Sequence, residues 1–262
     1  NETRLGMEES SRDGGQKFLA ALNGITSGGG YELALAADEI LLVDDGNAAV
    51  ALPEAPLLAV LPGTGGLTRL VDKRGVRRDR ADVFSTLVEG IKGKRAVEWR
   101  LVDGLAARSK FDEAKRVRAE ALAATSTRNA SGPGIELKPL DAKRSESVLE
   151  YSTVSVNIDQ ASRHVEILVR GPEGDQPQTT EAFKALGVDY WPLAMARELD
   201  DAICQLRFNY ATCGLLILKT QGDADAVLAV DKTLSDNADD WLVKEILLKM
   251  RRTFKRLDQT AR

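Results

Sequence analysis

The chain has 262 residues, of which 43% are hydrophobic, and a formal net charge of −4. This length allows one large domain or two small ones, and the mild acidity with interleaved basic residues gives no electrostatic case for nucleic-acid binding. The only histidine is His164, which argues against a Ser-His-Asp hydrolase or a multi-histidine metal site. Acid–base chemistry would therefore fall to carboxylates.

Two cysteines, Cys204 and Cys213, form no metal motif. Since no secretion signal is recognisable either, they suit a reducing compartment, and we expect a cytoplasmic protein. No apolar run approaches the roughly 20 residues that span a bilayer. We therefore expect neither a bound metal nor a membrane partner.

The first predicted elements surround a glycine-rich turn. In chain order the pattern predicts a polar helix or loop (1–16), a strand (18–22), a turn (27–30), a helix (31–38) and two more strands (40–43 and 49–52). Glu54 follows a proline at the end of the last strand, where side chains commonly point into a cleft. A second glycine turn, 61–66, opens another helix.

The first turn predicts an anion-binding site. Three glycines, Gly28, Gly29 and Gly30, allow a sharp turn and a close approach to a ligand. N–H groups at the following helix start can hold an oxygen that gains negative charge. With the nearby carboxylates of Glu32 and Glu54, the turn could polarise a carbonyl and move protons. Taken singly, the turn could instead be a phosphate cradle or mere packing, and each glutamate a solvated helix or loop charge.

The next segment is predicted to be mainly helical. Helical periodicity covers 80–88 and 94–100, a strand at Leu101-Val102 breaks at Asp103-Gly104, and a strong amphipathic helix covers 111–124. Its apolar side would pack on the core or on a partner.

A boundary and a second set of elements follow. Residues 126–150 are predicted to be a linker, with Ser131-Gly-Pro-Gly134 in it. The pattern of the remaining sequence predicts a hairpin (154–169), a short helix (179–186), a longer helix (192–208), a buried strand (214–222) and a final helix (239–257). His164 is interpreted as a surface or packing residue of the hairpin.

Taken together, the motifs resemble the crotonase (enoyl-CoA hydratase/isomerase) superfamily over roughly 18–124. The resemblance rests on Ala21-Leu-Asn-Gly24, Ser27-Gly-Gly-Gly-Tyr-Glu32-Leu-Ala-Leu-Ala-Ala-Asp38, Leu52-Pro-Glu54, Leu61-Pro-Gly-Thr-Gly-Gly66 and Leu101-Val-Asp-Gly-Leu105. It implies that the Gly29 N–H holds the thioester oxygen of an acyl-CoA and that Glu32 and Glu54 are catalytic. It also implies that Gly28, Gly30 and Gly63 lie against the substrate. No cofactor is implied, because coenzyme A is part of the substrate.

The resemblance also implies a fold: an α/β, crotonase-like spiral of repeated ββα units. Residues 1–125 would form the second, site-bearing half of one core, and 151–262 the first half of a second, non-catalytic core. Within the latter, 223–231 lie where the superfamily places its first thioester-holding loop. We therefore expect the chain to be an internal piece of a longer protein, with the other thioester N–H donor in the preceding half.

A narrower resemblance covers nearly the whole chain. An extra residue between Glu54 and Pro62, with Asp72-Lys-Arg74, Trp99-Arg-Leu-Val-Asp103 and Trp191-Pro-Leu193, is similar to the benzoyl-CoA-dihydrodiol lyases (2,3-epoxybenzoyl-CoA dihydrolases). That family adds water to the epoxide of benzoyl-CoA, opens the ring and releases formate during aromatic catabolism. The alternatives are an enoyl-CoA hydratase or isomerase acting on another acyl-CoA, and a non-catalytic assembly module.

Two further expectations follow from the resemblance. Arg69, Lys73 and Arg74 could meet CoA phosphates, although solvated helix charge is favoured, since lysines and arginines are mostly exposed. Chains of this kind associate through helices such as those in 80–124, so we expect a homo-oligomer, a dimer, of the full-length protein.

Overall fold

The computed structural model describes residues 2–128 and 131–260. The chain divides into two compact units, Asn1–Ala130 and Ser131–Arg262, which we call unit 1 and unit 2. No helix among the described residues is both long and apolar enough to cross a membrane.

Unit 1 alternates short strands and helices. Its strands are β1 (Leu19–Leu22), β2 (Thr26–Ser27), β3 (Glu39–Asp44), β4 (Ala49–Ala51), β5 (Ile91–Lys92) and β6 (Gly104–Ala107). Its α-helices are α1 (Glu2–Arg12), α2 (Gly29–Ala34), α3 (Glu54–Leu58), α4 (Gly66–Thr68), α5 (Arg78–Phe84), α6 (Gly93–Glu98) and α7 (Phe111–Ala124). A π-helical turn (Arg69–Lys73) continues α4, and a 3₁₀ turn (Arg108–Lys110) precedes α7.

Two small sheets organise unit 1. One has the order β1-β3-β6, with both pairs parallel. In the other, β2 pairs with β4 in parallel and β4 pairs with β5 antiparallel. The central strand β3 is almost entirely buried because its run Ile40-Leu-Leu-Val43 is apolar on both faces, as expected for a covered parallel strand. This core fixes the positions of the two glycine turns.

The strand predicted at Leu101-Val102 is wrong. These two residues are buried in the bend before β6, and the strand begins at Gly104, where the prediction placed the break. The reason lies in Asp103, which exchanges hydrogen bonds with β3: its carboxylate accepts the Ile40 N–H (2.7 Å) and its N–H donates to the Ile40 carbonyl (2.8 Å). Asp103-Gly104 therefore starts a strand rather than ending one.

The helix predicted at 111–124 is confirmed as α7. Its apolar side is largely exposed, since Phe111 is buried whereas Val117 is 50% exposed. In unit 1 the expected packing of that side on the core is therefore restricted to the start of the helix.

Asp45 closes the turn between β3 and β4. Its Oδ1 accepts the N–H groups of Asn47 (2.9 Å) and Ala48 (2.8 Å), and Arg108 donates to Oδ2. The Ala48 bond, then Arg108 and then Asn47, lower the pKa of Asp45 from 3.8 to about 2. Because the folded pKa lies below the unfolded one, this stabilisation is present above about pH 4 and is lost as the pH falls through about 2.

We therefore expect Asp45→Asn to be less stable than the parent at pH 7, with a difference that shrinks between about pH 4 and pH 2. Urea unfolding curves across this pH range measure it. Asp44→Asn is the matched control, because the neighbouring Asp44 is exposed and Asn47 and Ala48 donate to Asp45 instead. A deficit for Asp45→Asn that stays constant with pH would contradict the assignment.

Unit 2 contains one five-stranded sheet and four α-helices among its described residues. The strands are β7 (Lys143–Arg144), β8 (Val148–Glu150), β9 (Val154–Asp159), β10 (His164–Arg170) and β11 (Leu215–Gln221). The helices are α8 (Thr180–Leu186), α9 (Trp191–Asn209), α10 (Ala224–Asp236) and α11 (Trp241–Thr260), with a 3₁₀ turn (Gly187–Asp189) before α9. Along the order β11-β10-β9-β8-β7, β10 and β11 are parallel and the other pairs antiparallel.

Several predictions for unit 2 are confirmed: the hairpin is β9–β10, and the three predicted helices are α8, α9 and α11. Helix α9 packs on the sheet, with Leu199, Ile203 and Leu206 buried against Val156 and Val165. The linker predicted at 126–150 is too long, because β7 and β8 belong to this sheet.

Two other predictions for unit 2 are wrong. The strand predicted as buried, β11, lies at the sheet edge, and Leu215 and Leu218 are more than half exposed. Residues 223–231, expected to form a loop, start helix α10, and Asp223 caps it by accepting the Asp225 N–H (2.8 Å). An aspartate at this position is a strong helix start signal.

Candidate functional site

The first glycine turn places the N–H of Gly29 at an exposed helix start. Gly28 has φ +57° and ψ −131°, and its N–H donates to the Ala51 carbonyl of β4 (3.0 Å). Helix α2 begins at Gly29, and the first N–H groups of a helix have no acceptor within it. Gly29 is exposed, and a side chain added there would meet nothing within 4 Å. Among the predicted glycines, Gly28 therefore has its N–H occupied and Gly29 faces open space.

Glu54 lies against this turn. A Cβ added at Gly28 would stand 3.1 Å from Glu54 Oε1, so the carboxylate occupies the space that a side chain at Gly28 would need. Its other oxygen, Oε2, is buried and has no hydrogen-bond partner among the described residues. Buried polar atoms are rarely left unpaired in folded proteins. A carboxylate oxygen without a hydrogen-bond partner, in a side chain that lies against the turn, is suited to hold a water molecule or a substrate proton. Its interpretation as a loop charge is wrong, because Glu54 begins α3.

Glu32 is held rigidly. Its side chain is buried, and its Oε1 accepts the N–H groups of Thr64 (3.1 Å) and Gly66 (2.8 Å) in the second glycine turn. A Cβ added at Gly66 would stand 3.0 Å from this oxygen, so a side chain there would press on the carboxylate. The alternative interpretation of Glu32 as a solvated helix charge is wrong. Nothing in the sequence marks Thr64 and Gly66 as partners of Glu32, because backbone donors are not tied to a residue type.

Gly30 and Gly63 are both exposed. A side chain added at Gly63 would meet nothing within 4 Å, and one at Gly30 only the Thr26 methyl group at 3.8 Å. Both predicted substrate-binding positions therefore lie on open surface.

The basic residues after the second turn each have a partner within unit 1. Arg69 donates to Glu8 through Nε (2.7 Å) and Nη2 (2.5 Å), and Arg74 pairs with Asp103 (2.9 Å). Lys73 donates to the Ala36 carbonyl (2.8 Å), and burial lowers its pKa, opposed by Glu8. The interpretation as solvated helix charge is wrong for Arg69 and Arg74, whose side chains are 13% and 7% exposed, whereas Lys73 is exposed. The carboxylate partners of the two arginines are distant in sequence and leave no local signal.

Tyr31, beside Glu32, belongs to the core rather than to the site. Its hydroxyl donates to the Leu101 carbonyl (2.7 Å), and its ring meets Phe84 edge to face. Burial raises the pKa of this hydroxyl well above its ordinary value. Tyr31 therefore anchors α2 while Glu32 points toward the second turn.

Unit 2 contains a cleft of about 880 Å³. Its buried Glu198 accepts hydrogen bonds from Ser152 and Thr153, and its Arg170 pairs with Glu150. These groups satisfy one another, so we assign the cleft no ligand. Across the described residues, no group of histidine, cysteine, aspartate or glutamate side chains could hold a metal ion.

Comparison with known proteins places the site in a family. Residues 12–131 match the model of the enoyl-CoA hydratase/isomerase family. This part of the chain, which contains both glycine turns and both glutamates, is a domain of that family and has its crotonase fold.

A curated relative matches the chain over its whole length. Benzoyl-CoA-dihydrodiol lyase of Aromatoleum evansii is 52% identical over all 262 residues, which cover 47% of that protein. Carnitinyl-CoA dehydratase of Proteus mirabilis (strain HI4320) is 36% identical over 107 residues, 40% of this chain and 38% of that one. The chain thus spans about half the length of the first relative.

A solved structure, the enoyl-CoA hydratase from Bacillus anthracis, is 34% identical and overlaps 46% of this chain and 45% of its own, with a TM-score of 0.39. The sequence matches, rather than this partial overlap, carry the family assignment.

Proposed function

We propose that the whole protein opens the ring of 2,3-epoxybenzoyl-CoA with water and releases formate and an open-chain semialdehyde CoA thioester. The observation that carries this proposal is the 52% identity to benzoyl-CoA-dihydrodiol lyase over the full 262 residues. Water alone supplies the atoms added in this reaction, so it needs no oxidant, reductant or cofactor.

The Gly29 N–H is proposed to bind the thioester oxygen. Electron density drawn toward that oxygen leaves the adjacent ring carbons open to attack by water. The open space at Gly29 supports this role, and the bond from Gly28 to Ala51 removes the neighbouring N–H as a competitor. Because α2 has only six residues, direct hydrogen bonding matters more here than the helix dipole. Gly28, Gly30 and Gly63 are proposed to line the substrate.

Glu32 and Glu54 are proposed to orient water and carry protons. Their different surroundings support a division of labour. Glu32 has one oxygen fixed by two backbone donors, which sets the plane of its carboxylate. Glu54 has an unpartnered oxygen, Oε2, which can exchange a proton with water or substrate.

Two arrangements at the scale of the whole protein are also proposed. Unit 2 would be the start of a second, non-catalytic crotonase-like core. The protein would be a homodimer that associates through the helices of 80–124, where Val83, Val88 and Val117 are about half exposed.

A second candidate is hydration of an aliphatic enoyl-CoA, favoured by the family match over 12–131. Incubating the whole protein with epoxidised benzoyl-CoA and, separately, with crotonyl-CoA distinguishes the two. We expect formate from the first substrate and little hydration of the second. Fast hydration of crotonyl-CoA without formate from epoxidised benzoyl-CoA would overturn the proposal. Turnover of neither substrate would favour the third alternative, a non-catalytic assembly module.

A further inference from the structure

The orientation of Glu32 depends on the second glycine turn. Both hydrogen bonds to Glu32 Oε1 come from this turn, from the N–H groups of Thr64 and Gly66. A displacement of the turn would therefore move the two donors and rotate the carboxylate. What holds the turn in place also holds Glu32 in place.

Arg69 binds the opposite side of the same turn. Its Nη1 donates to the carbonyls of Thr64 (3.0 Å) and Gly65 (3.2 Å). Gly65 has φ +84°, and a Cβ added there would stand 2.9 Å from Nη1. Gly65 therefore allows both the left-handed backbone and the close approach of the guanidinium.

Glu8 of α1 fixes Arg69 in turn. It accepts from Nε (2.7 Å) and Nη2 (2.5 Å), a two-point pairing in which the Arg69 side chain is only 13% exposed. Such forked pairing fixes the guanidinium plane as well as its position. Because Nε and Nη2 of Arg69 bind Glu8, its third nitrogen, Nη1, is held where it donates to the carbonyls of the turn.

We propose that Arg69, locked by Glu8, is a positioning residue that sets the orientation of Glu32 and thereby the rate of the chemical step. This proposal rests on the proposed function of Glu32. One series of hydrogen bonds joins the Glu8 carboxylate, the Arg69 guanidinium, the Thr64 and Gly65 carbonyls, the Thr64 and Gly66 N–H groups and Glu32. Neither Glu8 nor Arg69 needs to touch the substrate.

Lysine cannot replace arginine in this role. It offers one charged centre, which can bind Glu8 or the turn carbonyls but cannot span both in a fixed plane. Since a misplacement of about 1 Å can cost up to about 100-fold in rate, we expect Arg69→Lys in the whole protein to lower kcat about tenfold and to change KM less than about twofold. Glu8→Gln should act in the same direction, because Arg69 then loses its ionic partner.

Arg74→Lys is the matched control. Arg74 follows the same π-helical turn, and its own guanidinium is likewise buried in an ion pair. Its partners, however, are Asp103 and the Arg100 carbonyl rather than the glycine turn. We expect it to lower the midpoint of urea unfolding about as much as Arg69→Lys while keeping the parental kcat. Equal kcat losses in Arg69→Lys and Arg74→Lys would mean a general effect on stability and would overturn the proposal.

A double variant gives a readout that a structural role would not produce. If Arg69 acts through Glu32, adding Arg69→Lys to Glu32→Gln should cost less than about twofold in kcat beyond Glu32→Gln alone. A full further tenfold loss would overturn the inference. An unimpaired Arg69→Lys beside an impaired Glu32→Gln would reject the positioning role alone, whereas an unimpaired Glu32→Gln would reject the proposed function of Glu32 and this inference with it.

Discussion

Glu54→Gln in the whole protein should lower kcat by about 100-fold or more. The amide keeps the size of the side chain but cannot accept a proton. Glu54 Oε1 lies against Gly28, and Oε2 is buried with no hydrogen-bond partner among the described residues. Formate release and thioester consumption, followed with epoxidised benzoyl-CoA, measure the effect. Because Glu54 is only partly buried at the start of the short helix α3, we expect the thermal unfolding midpoint to change little.

Glu32→Gln should cost a similar factor of about 100 for a different reason. A glutamine oxygen can still accept the N–H groups of Thr64 and Gly66, so the turn should stay formed while the proton-carrying group is lost. Glu113→Gln, an exposed position of α7, is the matched control and should keep the parental rate. Near-parental rates for both Glu32→Gln and Glu54→Gln would remove the two carboxylates from the mechanism.

The sequence predicts the local parts of the site well because their signals are local. The strand, the glycine turn and the small-residue helix follow one another within about 20 positions, and backbone freedom at glycine is a property of the residue itself. The structure accordingly places β1, the turn and α2 near their predicted positions, although α2 ends at Ala34 rather than at 38. Four residues of the predicted helix, 35–38, lie outside it. There the N–H groups of Ala36 and Ala37 donate to the carbonyls three positions earlier, those of Leu33 and Ala34, rather than four positions earlier.

What the sequence does not reveal is which partners meet across the fold. Glu8 and Arg69 are 61 positions apart, and no local pattern marks them as a pair. The sequence favours solvent-exposed charge for Arg69, because charged residues are mostly exposed. Its burial depends on the packing of α1, which brings Glu8 to it. The same holds for β11, where an apolar run fits a buried strand and an edge strand equally well.

Gly28→Ala should lower kcat/KM in the whole protein by about 100-fold or more, since losing one oxyanion donor costs about 100- to 1000-fold. Two physical effects act together. Residues with side chains rarely adopt a positive φ, so the turn would be strained by about 1–3 kcal/mol. Relief of that strain would swing the Gly29 N–H away from the thioester oxygen. The new methyl group would also stand 3.1 Å from Glu54 Oε1 and press on the carboxylate.

Gly24→Ala provides the control, because an added Cβ there meets nothing within 4 Å and its φ is not positive. It lies in the same segment of unit 1 and should keep the parental kcat/KM. Both variants are compared at equal folded fraction, measured by circular dichroism, so that a loss of stability is not mistaken for a loss of chemistry. A Gly28→Ala protein that keeps more than half of the parental kcat/KM would show that neither the turn nor its contact with Glu54 shapes the reacting centre.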